Sequence, residues 1–519
     1  MGREPRRTAQ GRLTNRILFK SVLIANRGEI AVRIIRTCKL LGIKTVAIYS
    51  DVDVNALHVK LADKAIRIGS SDPGDSYLNI ERIVQTAVDA GVDALHPGYG
   101  FVSENWNLAE DCEEAGIRFI GPKPRTLVIA GNKVDCKRLA RRAGVPVIEG
   151  GETVMYTEAG AVEAARALGY PVLLKAAFGG GGRGIRQAAN DRELLEGFRL
   201  ASSEMRRSLG KAGLFVEKLV TPARHIEVQI VSDGKGKIIH LGERECSIQR
   251  RHQKLLELAP APGLDDSARA RLVSYAVSLA KALDYQNIGT IEFLMDAERN
   301  FYFIEMNSRL QVEHPVTEVV SGVDLVKAQL EIAAGEGIDY NQGDIVLQGA
   351  AIQCRINAED PAAGFAPSTG RVERLFFPGG AGLRIDTALY QGYEVPEYYD
   401  SLLVKLIASG KDLEDARKRM VLALGVFEIE GVKTTIPLQR FILAHEEFVN
   451  WNLDVSFVER NKILEALTEK LALERKELIQ HGAAVAAAVM EAGWTRQPGL
   501  AIRSEEHVTK QEPRYYDAV

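Results

Sequence analysis

The chain has 519 residues, of which 46% are hydrophobic and 26% charged, and its formal net charge is -3. This length exceeds one hydrophobic core and predicts roughly two to four domains. The near-neutral charge argues against nucleic acid or an anionic membrane as partner, and no apolar run reaches the length of a membrane span. Five scattered cysteines without a CxxC pair favour a reducing compartment and argue against a zinc site.

The chain starts with a basic segment that contains one acidic residue, Glu4, and few apolar ones. We interpret residues 1–19 as a disordered basic start and a cytoplasmic location as the default. The alternative is a short transit peptide, which would make the protein mitochondrial.

The first elements form a βαβ unit. An apolar run at 22–25 predicts a strand, residues 45–49 predict a second strand, and the helix between them ends near Gly42. The apolar positions of this helix are Ile30, Ile34, Ile35 and Leu40. Two strands joined by a helix in so few residues indicate a parallel, Rossmann-like sheet, but the full GxGxxG spacing is missing, so NAD is not inferred.

A glycine-rich loop follows the predicted strand at 171–174. Its sequence, KAAFGGGGRG at 175–184, places Lys175 and Arg183 on either side of four consecutive glycines. Glycine has no Cβ and tolerates positive φ, so backbone N–H groups can close around a phosphate. The alternative is a flexible surface turn.

A predicted hairpin at 290–307 carries acceptors for a metal. Glu305 and Asn307 share one face of the second strand, and Glu292 lies between apolar neighbours on the first. Two carboxylates and an amide can hold one or two magnesium ions against the phosphates of a nucleotide. The alternative is a cross-strand charge pair on the surface.

The run at 243–254, ERECSIQRRHQK, is dense in ionisable side chains. Such a run is usually a solvated strand or loop, but Gln249, His252 and Lys254 would suit ribose hydroxyls, phosphate oxygens or a small anion. Cys246 has no clear activating partner, so we interpret it as buried and structural rather than as a nucleophile.

Three further residues are candidates for anion chemistry. The guanidinium of Arg309 suits a carboxylate-like anion such as bicarbonate. Glu313 is either a base or a solvated loop carboxylate, and local sequence does not separate the two. Arg355 lies in an apolar strand at 352–356 and therefore needs an anionic partner, structural or reactive.

The last third of the chain changes character twice. Residues from Gly349 to about Glu446 are predicted to be rich in β-strands, with turns at 378–380 and Gly392. From Val455 to Met490 the pattern is helical, although Glu474 interrupts a clean heptad repeat.

Together these motifs resemble the biotin carboxylase component of biotin-dependent carboxylases, an enzyme of the ATP-grasp superfamily. The resemblance covers about residues 20 to 450. The matching segments are ANRGEIAVRIIR (25–36), HPGYGFVSEN (96–105), GNKV (131–134), KAAFGGGGRGIR (175–186), EK (217–218), RHIEVQ (224–229), ERECSIQRRHQK (243–254), EMNSRLQVEHPVTE (305–318), RINAED (355–360) and YYDSLLVKLI (398–407).

The resemblance implies an α/β and α+β multidomain fold. A Rossmann-like N-terminal domain would occupy 20–130, and an ATP-grasp domain with a mobile lid at about 147–220 would occupy 131–345. A β-rich C-terminal domain would follow at 346–454, and a helical extension and tail at 455–519. The extension is either a docking element for partner chains or a helix packed on its own subunit.

The resemblance also implies the role of each site residue. ATP would be bound by Lys133, Lys175, Gly179, Gly180, Gly181, Gly182, Gly184, Glu217, Lys218, His225, Gln249 and His252. Magnesium or manganese, as two divalent ions, would be held by Glu292, Glu305 and Asn307. Bicarbonate would be positioned by Lys254, Arg309, Gln311 and Val312.

In the family's reaction, Glu313 would deprotonate bicarbonate for attack on the γ-phosphate. The resulting carboxyphosphate would yield carbon dioxide and phosphate, and phosphate would take the ureido proton of biotin. Arg355 would stabilise the biotin enolate. The catalytic set implied is therefore Glu313, Arg355, Lys254 and Arg309.

Biotin itself is expected on another chain. The family's biotinyl lysine follows a methionine, and none of the seven methionines here precedes a lysine. We therefore expect a separate biotin carboxyl carrier protein, a homodimer by analogy with the family, and a separate carboxyltransferase subunit. The final acceptor, an acyl-CoA or pyruvate, is left open. The competing hypotheses are another ATP-grasp carboxylate ligase and a non-catalytic nucleotide-binding scaffold.

Overall fold

A computed structural model describes residues 19–177, 185–209 and 213–491. The chain divides into two compact units, Met1–Leu464 and Glu465–Val519. The predicted phosphate loop, with Gly179, Gly180, Gly181, Gly182 and Gly184, lies outside the described residues.

The first unit begins with a parallel sheet of five strands. They are β1 (Ser21–Ile24), β2 (Lys44–Ser50), β3 (Lys64–Gly69), β4 (Ala94–His96) and β5 (Arg118–Phe119), in the order β3-β2-β1-β4-β5. The helices of this segment are α1 (Gly28–Leu40), α2 (Leu57–Leu61), α3 (Ile80–Ala90), α4 (Trp106–Glu114), α5 (Pro124–Gly131) and α6 (Lys133–Arg142). The parallel order confirms the Rossmann-like N-terminal fold.

Helix α1 largely follows its predicted apolar face. Ile30, Ile34 and Ile35 are buried against the sheet, as their helical spacing indicates. Leu40 is predicted on the same face, but it is 85% exposed. The reason is its position around the helix: at 3.6 residues per turn Leu40 lies away from the face of the three isoleucines, whereas Cys38 in the same turn lies on that face and is fully buried.

Residues 147–220, predicted as a lid, contain a small layer of their own. Its elements are α7 (Glu158–Leu168), β6 (Val172–Ala176), β7 (Arg186–Ala188), α8 (Asp191–Leu209) and β8 (Leu214–Lys218). The three strands form an antiparallel sheet of order β7-β6-β8, which packs against the two helices. Leu174, Phe198 and Phe215 belong to a separate hydrophobic core in this segment.

An eight-stranded antiparallel sheet forms the centre of the first unit. Its first strands are β9 (Arg224–Asp233), β10 (Ile238–Glu245), β13 (Leu256–Ala259), β14 (Gln286–Met295) and β15 (Phe301–Asn307). The accompanying elements are β11 (Gln249–Arg250), β12 (Gln253–Lys254), α9 (Asp266–Ala282), α10 (His314–Ser321) and α11 (Leu325–Ala333).

The same sheet continues across residue 346, where the C-terminal domain is predicted to begin. Strands β16 (Ala350–Asn357), β21 (Leu383–Thr387) and β23 (Leu402–Gly410) complete the order β15-β14-β9-β10-β13-β16-β23-β21. The shorter strands are β17 (Glu359–Asp360), β18 (Ala366–Pro367), β19 (Gly370–Arg371), β20 (Arg374–Phe376), β22 (Glu394–Val395) and β24 (Glu428–Glu430). Beside them lie α12 (Leu413–Val426), α13 (Ile436–Ala444), α14 (Glu446–Val449) and α15 (Phe457–Arg460), so the segment is richer in helix than its pattern indicates.

The described part of the second unit is helical. Helix α16 (Ile463–Glu491) begins at the end of the first unit and supplies these residues. Among the described residues, no helix is both long enough and apolar enough to cross a membrane.

A substitution at Phe303 would test the hydrophobic core beside the large sheet. The ring of Phe303 is fully buried and meets Phe293 edge to face, with ring centroids 6.3 Å apart. We expect Phe303→Ala to lower the free energy of unfolding by about 3–5 kcal/mol, because the cavity removes both transfer energy and contacts. Urea unfolding measures the change. Tyr156→Ala, at a side chain that is 65% exposed, is the control, and an equal loss in both variants would contradict this account of the core.

Candidate active site

A buried lysine marks the centre of the candidate site on one face of the large sheet. The Nζ atom of Lys254 donates to Glu227 at 2.6 Å, to Glu313 at 2.7 Å and to Glu292 at 2.9 Å. The lysine side chain is only 12% exposed, and all three carboxylates are buried. An ammonium group has three N–H donors, and here each meets a carboxylate.

The charges of this cluster hold one another ionised. Burial acts to lower the pKa of Lys254, but Glu227, Glu292 and Glu313 raise it well above its usual value. Burial acts to raise the pKa of Glu313, yet Lys254 and Arg355 bring it below the ordinary range. The pKa of Glu292 is lowered in the same way, by Lys254 and His225 against the effect of burial.

Arg244 supports this cluster from within the sheet. It is fully buried, and Nε donates to Glu227 while Nη1 reaches Gln229 at 2.8 Å and Thr317 at 2.9 Å. Nη2 donates to Gln311 at 2.6 Å, and that glutamine donates to Glu292 at 2.8 Å. The planar guanidinium therefore fixes side chains from β9, α10 and the loop before α10 in one arrangement.

Arg355 has the anionic partners that its apolar strand requires. Nε donates to Glu257 at 2.5 Å, and Nη2 lies 2.8 Å from Glu313. Gln353 donates to the other oxygen of Glu257 at 2.9 Å. Glu313 therefore receives Lys254 on one oxygen and Arg355 on the other, and it is a buried carboxylate rather than a solvated one.

The predicted metal ligands meet at the paired strands β14 and β15. Glu292 pairs in register with Glu305, and Asn307 donates to Glu292 at 2.8 Å. Arg309 donates to the amide oxygen of Asn307 at 2.8 Å. Glu292 is buried, so this group is not a surface charge pair. Carboxylate and amide oxygens are the ligands that magnesium prefers, and the donor set fits that ion.

Basic residues face these acceptors from the neighbouring elements. Lys133, at the start of α6, pairs with Glu305, and His225 Nε2 lies 3.2 Å from Glu292. Val312 is half-buried in the turn between Gln311 and Glu313. Three of the predicted bicarbonate ligands, Lys254, Arg309 and Gln311, therefore contact the acceptors directly, and Val312 adjoins Gln311 in the chain.

The predicted ATP ligands of the lid lie on β6 and β8. Lys175 Nζ donates to Glu217 at 2.6 Å, and both side chains are buried. Lys218 points differently, with Nζ 2.8 Å from the carbonyl oxygen of Gly169. Gln249 is buried on β11, whereas His252 is exposed and has φ +63°.

Several residues of the site received no role in the sequence analysis. Glu227 and Gln229 follow His225 at alternate positions of β9, so one face is polar while Ile226, Val228 and Ile230 enter the core. This alternation is visible in RHIEVQI and indicates a half-buried strand. Glu257 has no comparable signal, because nothing local says that Arg355 will pair across the sheet.

The charged run at 243–254 is buried in its first part, whereas Arg251, His252 and Gln253 near its end are exposed. Glu243, Arg244 and Glu245 are buried, and each has an ionic partner. Cys246 is buried as expected, and burial raises the pKa of its thiol well above the usual value. A thiol with so high a pKa is a poor nucleophile.

Family models cover most of the chain. The biotin carboxylase N-terminal domain matches 18–127, and the ATP-binding domain of the carbamoyl-phosphate synthase L chain matches 132–341. The biotin carboxylase C-terminal domain matches 353–460.

Similar proteins of known function are biotin carboxylases or carboxylase subunits. Biotin carboxylase 1 of Bacillus subtilis is 47% identical over 86% of this chain and 100% of its own length. The 2-oxoglutarate carboxylase small subunit of Hydrogenobacter thermophilus is 50% identical over 86% of this chain and 94% of its own. The biotin carboxylase of Halalkalibacterium halodurans is 50% identical over 85% of this chain and 97% of its own length.

Solved structures show the same fold. The biotin carboxylase domain dimer of Hydrogenobacter thermophilus 2-oxoglutarate carboxylase, in complex with MgADP, ADP and bicarbonate, is 49% identical with a TM-score of 0.84. The superposition covers 86% of this chain and 98% of the Hydrogenobacter thermophilus domain. Biotin carboxylase of Campylobacter jejuni, in a β,γ-ATP complex, is 44% identical with a TM-score of 0.83, covering 86% and 100%.

The fold and the similarity together define an ATP-dependent carboxylating ligase with a Rossmann-like, an ATP-grasp and a C-terminal part. The chain belongs to the biotin carboxylase family. ATP binding follows from that membership, because the family model matched over 132–341 is an ATP-binding domain.

Arg244 gives a test of the site's support. We expect Arg244→Lys to lower kcat/KM for bicarbonate by at least about tenfold, because an ammonium with three N–H donors cannot replace all four bonds that the guanidinium makes. A lost bond to a charged group costs about 1.5–3 kcal/mol. Bicarbonate-dependent ATP hydrolysis measures kcat/KM, and circular dichroism checks that the variant folds. The control is Arg374→Lys at an exposed ion pair, and full activity of Arg244→Lys would refute the supporting role.

Proposed function

We propose that this chain carboxylates biotin carried on a separate protein, using ATP and bicarbonate through carboxyphosphate. The observation that carries the proposal is the meeting of Lys254 and Arg355 on the two oxygens of Glu313. Two cations around one buried carboxylate suit a site where an anionic substrate and an anionic transition state form beside a base.

ATP would lie between the lid strands and the large sheet. Lys133 and Lys175 supply positive charge for its phosphates, and the glycines at 179–184 would supply backbone N–H groups. The remaining ligands proposed for the nucleotide are Glu217, Lys218, His225, Gln249 and His252.

Glu292, Glu305 and Asn307 would hold magnesium or manganese, and we propose two such ions. Their charge would neutralise the phosphate oxygens during phosphoryl transfer. Lys133 pairs with Glu305 and Lys254 pairs with Glu292, so each carboxylate has a cationic partner at the place where a divalent cation would bind.

Bicarbonate would be held by Lys254, Arg309, Gln311 and Val312, and Glu313 would take its proton. The cations beside Glu313 hold its pKa low, which makes it a weak base in the free protein. When Lys254 engages bicarbonate and Arg355 engages biotin, part of that stabilisation is lost and the pKa of Glu313 rises. The base would thus become stronger when both substrates are bound.

Deprotonated bicarbonate would attack the γ-phosphorus of ATP, which releases ADP and forms carboxyphosphate. Carboxyphosphate would break down to carbon dioxide and phosphate, and phosphate would remove the ureido proton of biotin. Arg355 would stabilise the enolate that attacks carbon dioxide. Closure of the lid at about 147–220 would protect carboxyphosphate from water.

The remaining proposals concern partners and domains. Hydrogenobacter thermophilus 2-oxoglutarate carboxylase has a small subunit that this chain matches over 94% of its length, which supports a separate carrier protein and carboxyltransferase. A biotin carboxylase domain dimer among the similar structures supports a homodimer. The domain ranges 20–130, 131–345, 346–454 and 455–519 are part of the proposal, and the final acceptor is left to the carboxyltransferase.

The direct test is ATP hydrolysis by the purified chain in magnesium. We expect bicarbonate-dependent hydrolysis that free biotin stimulates, and we expect Arg355→Ala to abolish the stimulation because the enolate loses its counter-charge. Glu313→Gln should lower the bicarbonate-dependent rate by about 10²–10⁴-fold, the usual contribution of a general base.

Arg374→Ala, at an exposed arginine on β20, is the matched control and should keep the stimulation. Hydrolysis that is indifferent to both bicarbonate and biotin would refute the proposal and indicate another carboxylate ligase.

A further inference from the structure

Lys137 is a buried cation that the proposed mechanism does not use. It lies on α6, one turn after Lys133, and its side chain is 1% exposed. Its Nζ atom pairs with Glu217 and donates to the carbonyl oxygens of Ile148 at 3.1 Å and Gly150 at 3.4 Å. One ammonium group therefore contacts the first residues of the segment predicted as a lid and its last strand, β8.

The carboxylate of Glu217 is shared between two lysines. Lys137 contacts one oxygen, and Lys175 contacts the other at 2.6 Å. Two buried cations thus surround one carboxylate, and the group carries one positive charge more than it balances. A buried charge without a counter-charge is costly, so this group favours the arrival of an anion.

The geometry decides which lysine can turn to that anion. Lys137 is enclosed. Its Nζ lies so close to the backbone of Gly151 that a Cβ atom there would be 2.6 Å away, and the carbonyl oxygens of residues 148 and 150 accept its hydrogen bonds. Lys175 has Glu217 as the ionic partner described and stands four residues before Gly179, the first of the consecutive glycines in the sequence. Lys175 is therefore the lysine placed to leave Glu217 for a phosphate.

We propose that Lys137 is a positioning residue for nucleotide binding: it is the permanent counter-ion of Glu217 and thereby releases Lys175 to a phosphate group of the nucleotide. Without Lys137, Lys175 is the single cation left to balance the buried carboxylate. Its transfer to a phosphate then leaves Glu217 unpaired, and this cost weakens nucleotide binding.

The proposal rests on the proposed function only in that a nucleotide phosphate meets Lys175. Two variants separate charge from hydrogen bonding. Lys137→Met keeps the length of the side chain without charge or donors, and Lys137→Gln keeps an N–H donor for the carbonyls of 148 and 150 without charge. Arg142→Met removes an exposed cation of the same helix and is the control.

The measurement is the Kd of MgADP by titration calorimetry on the full chain. We expect both neutral variants to raise Kd by about 10- to 100-fold, the range for lost bonds to charged groups, and Arg142→Met to leave it unchanged. In hydrolysis assays the KM for ATP should rise by a similar factor, while kcat at saturating ATP changes by less than about threefold.

Other outcomes overturn the proposal. If Lys137→Gln binds MgADP like the wild type while Lys137→Met does not, Lys137 acts only through the two carbonyls. If both neutral variants bind normally, or lose kcat without a change in KM, Lys137 is not a positioning residue for nucleotide. A wild-type chain that binds MgADP but shows no biotin-stimulated hydrolysis would refute the proposed function and leave this test intact.

Discussion

The buried ammonium of Lys254 is the interaction on which the site depends. Its three carboxylate partners come from β9, β14 and the turn before α10, which are far apart in the sequence. Burying a charge without a counter-charge is costly, so the lysine and its carboxylate partners depend on one another. The four charged groups can therefore be buried together only when the strands of the large sheet pair in their native register.

The same principle organises the rest of the site as a set of neighbouring ion clusters. Arg244 ties Glu227 to the loop that carries Gln311, and Arg355 joins Glu257 to Glu313. Each cluster links elements that a hydrophobic core alone would hold less specifically. These charges cost desolvation energy, and what they provide in return is a fixed arrangement of acceptors and cations ready for anionic substrates.

The segment predicted as a lid contains an ion cluster with the opposite ratio of cations to carboxylates. Around Glu217 two lysines meet one carboxylate, so positive charge is in excess, whereas around Lys254 three carboxylates meet one lysine. An excess of cations suits phosphates, and an excess of carboxylates suits divalent cations. In the proposed function, nucleotide and metal would therefore take complementary halves of one site, each supplied by a different layer of the fold.

The sequence by itself determined the Rossmann-like start and the paired strands at 290–307, because period-two and helical patterns are local properties. The roles of the site residues were predicted from the resemblance of local motifs to a known family. The sequence did not reveal that the run from Glu243 to Glu245 is buried, nor that Glu257 and Lys137 are partners of Arg355 and Glu217. Those pairings were decided by the tertiary structure. A charge can be buried only where a distant segment brings its counter-charge, and no local pattern records which segment that is.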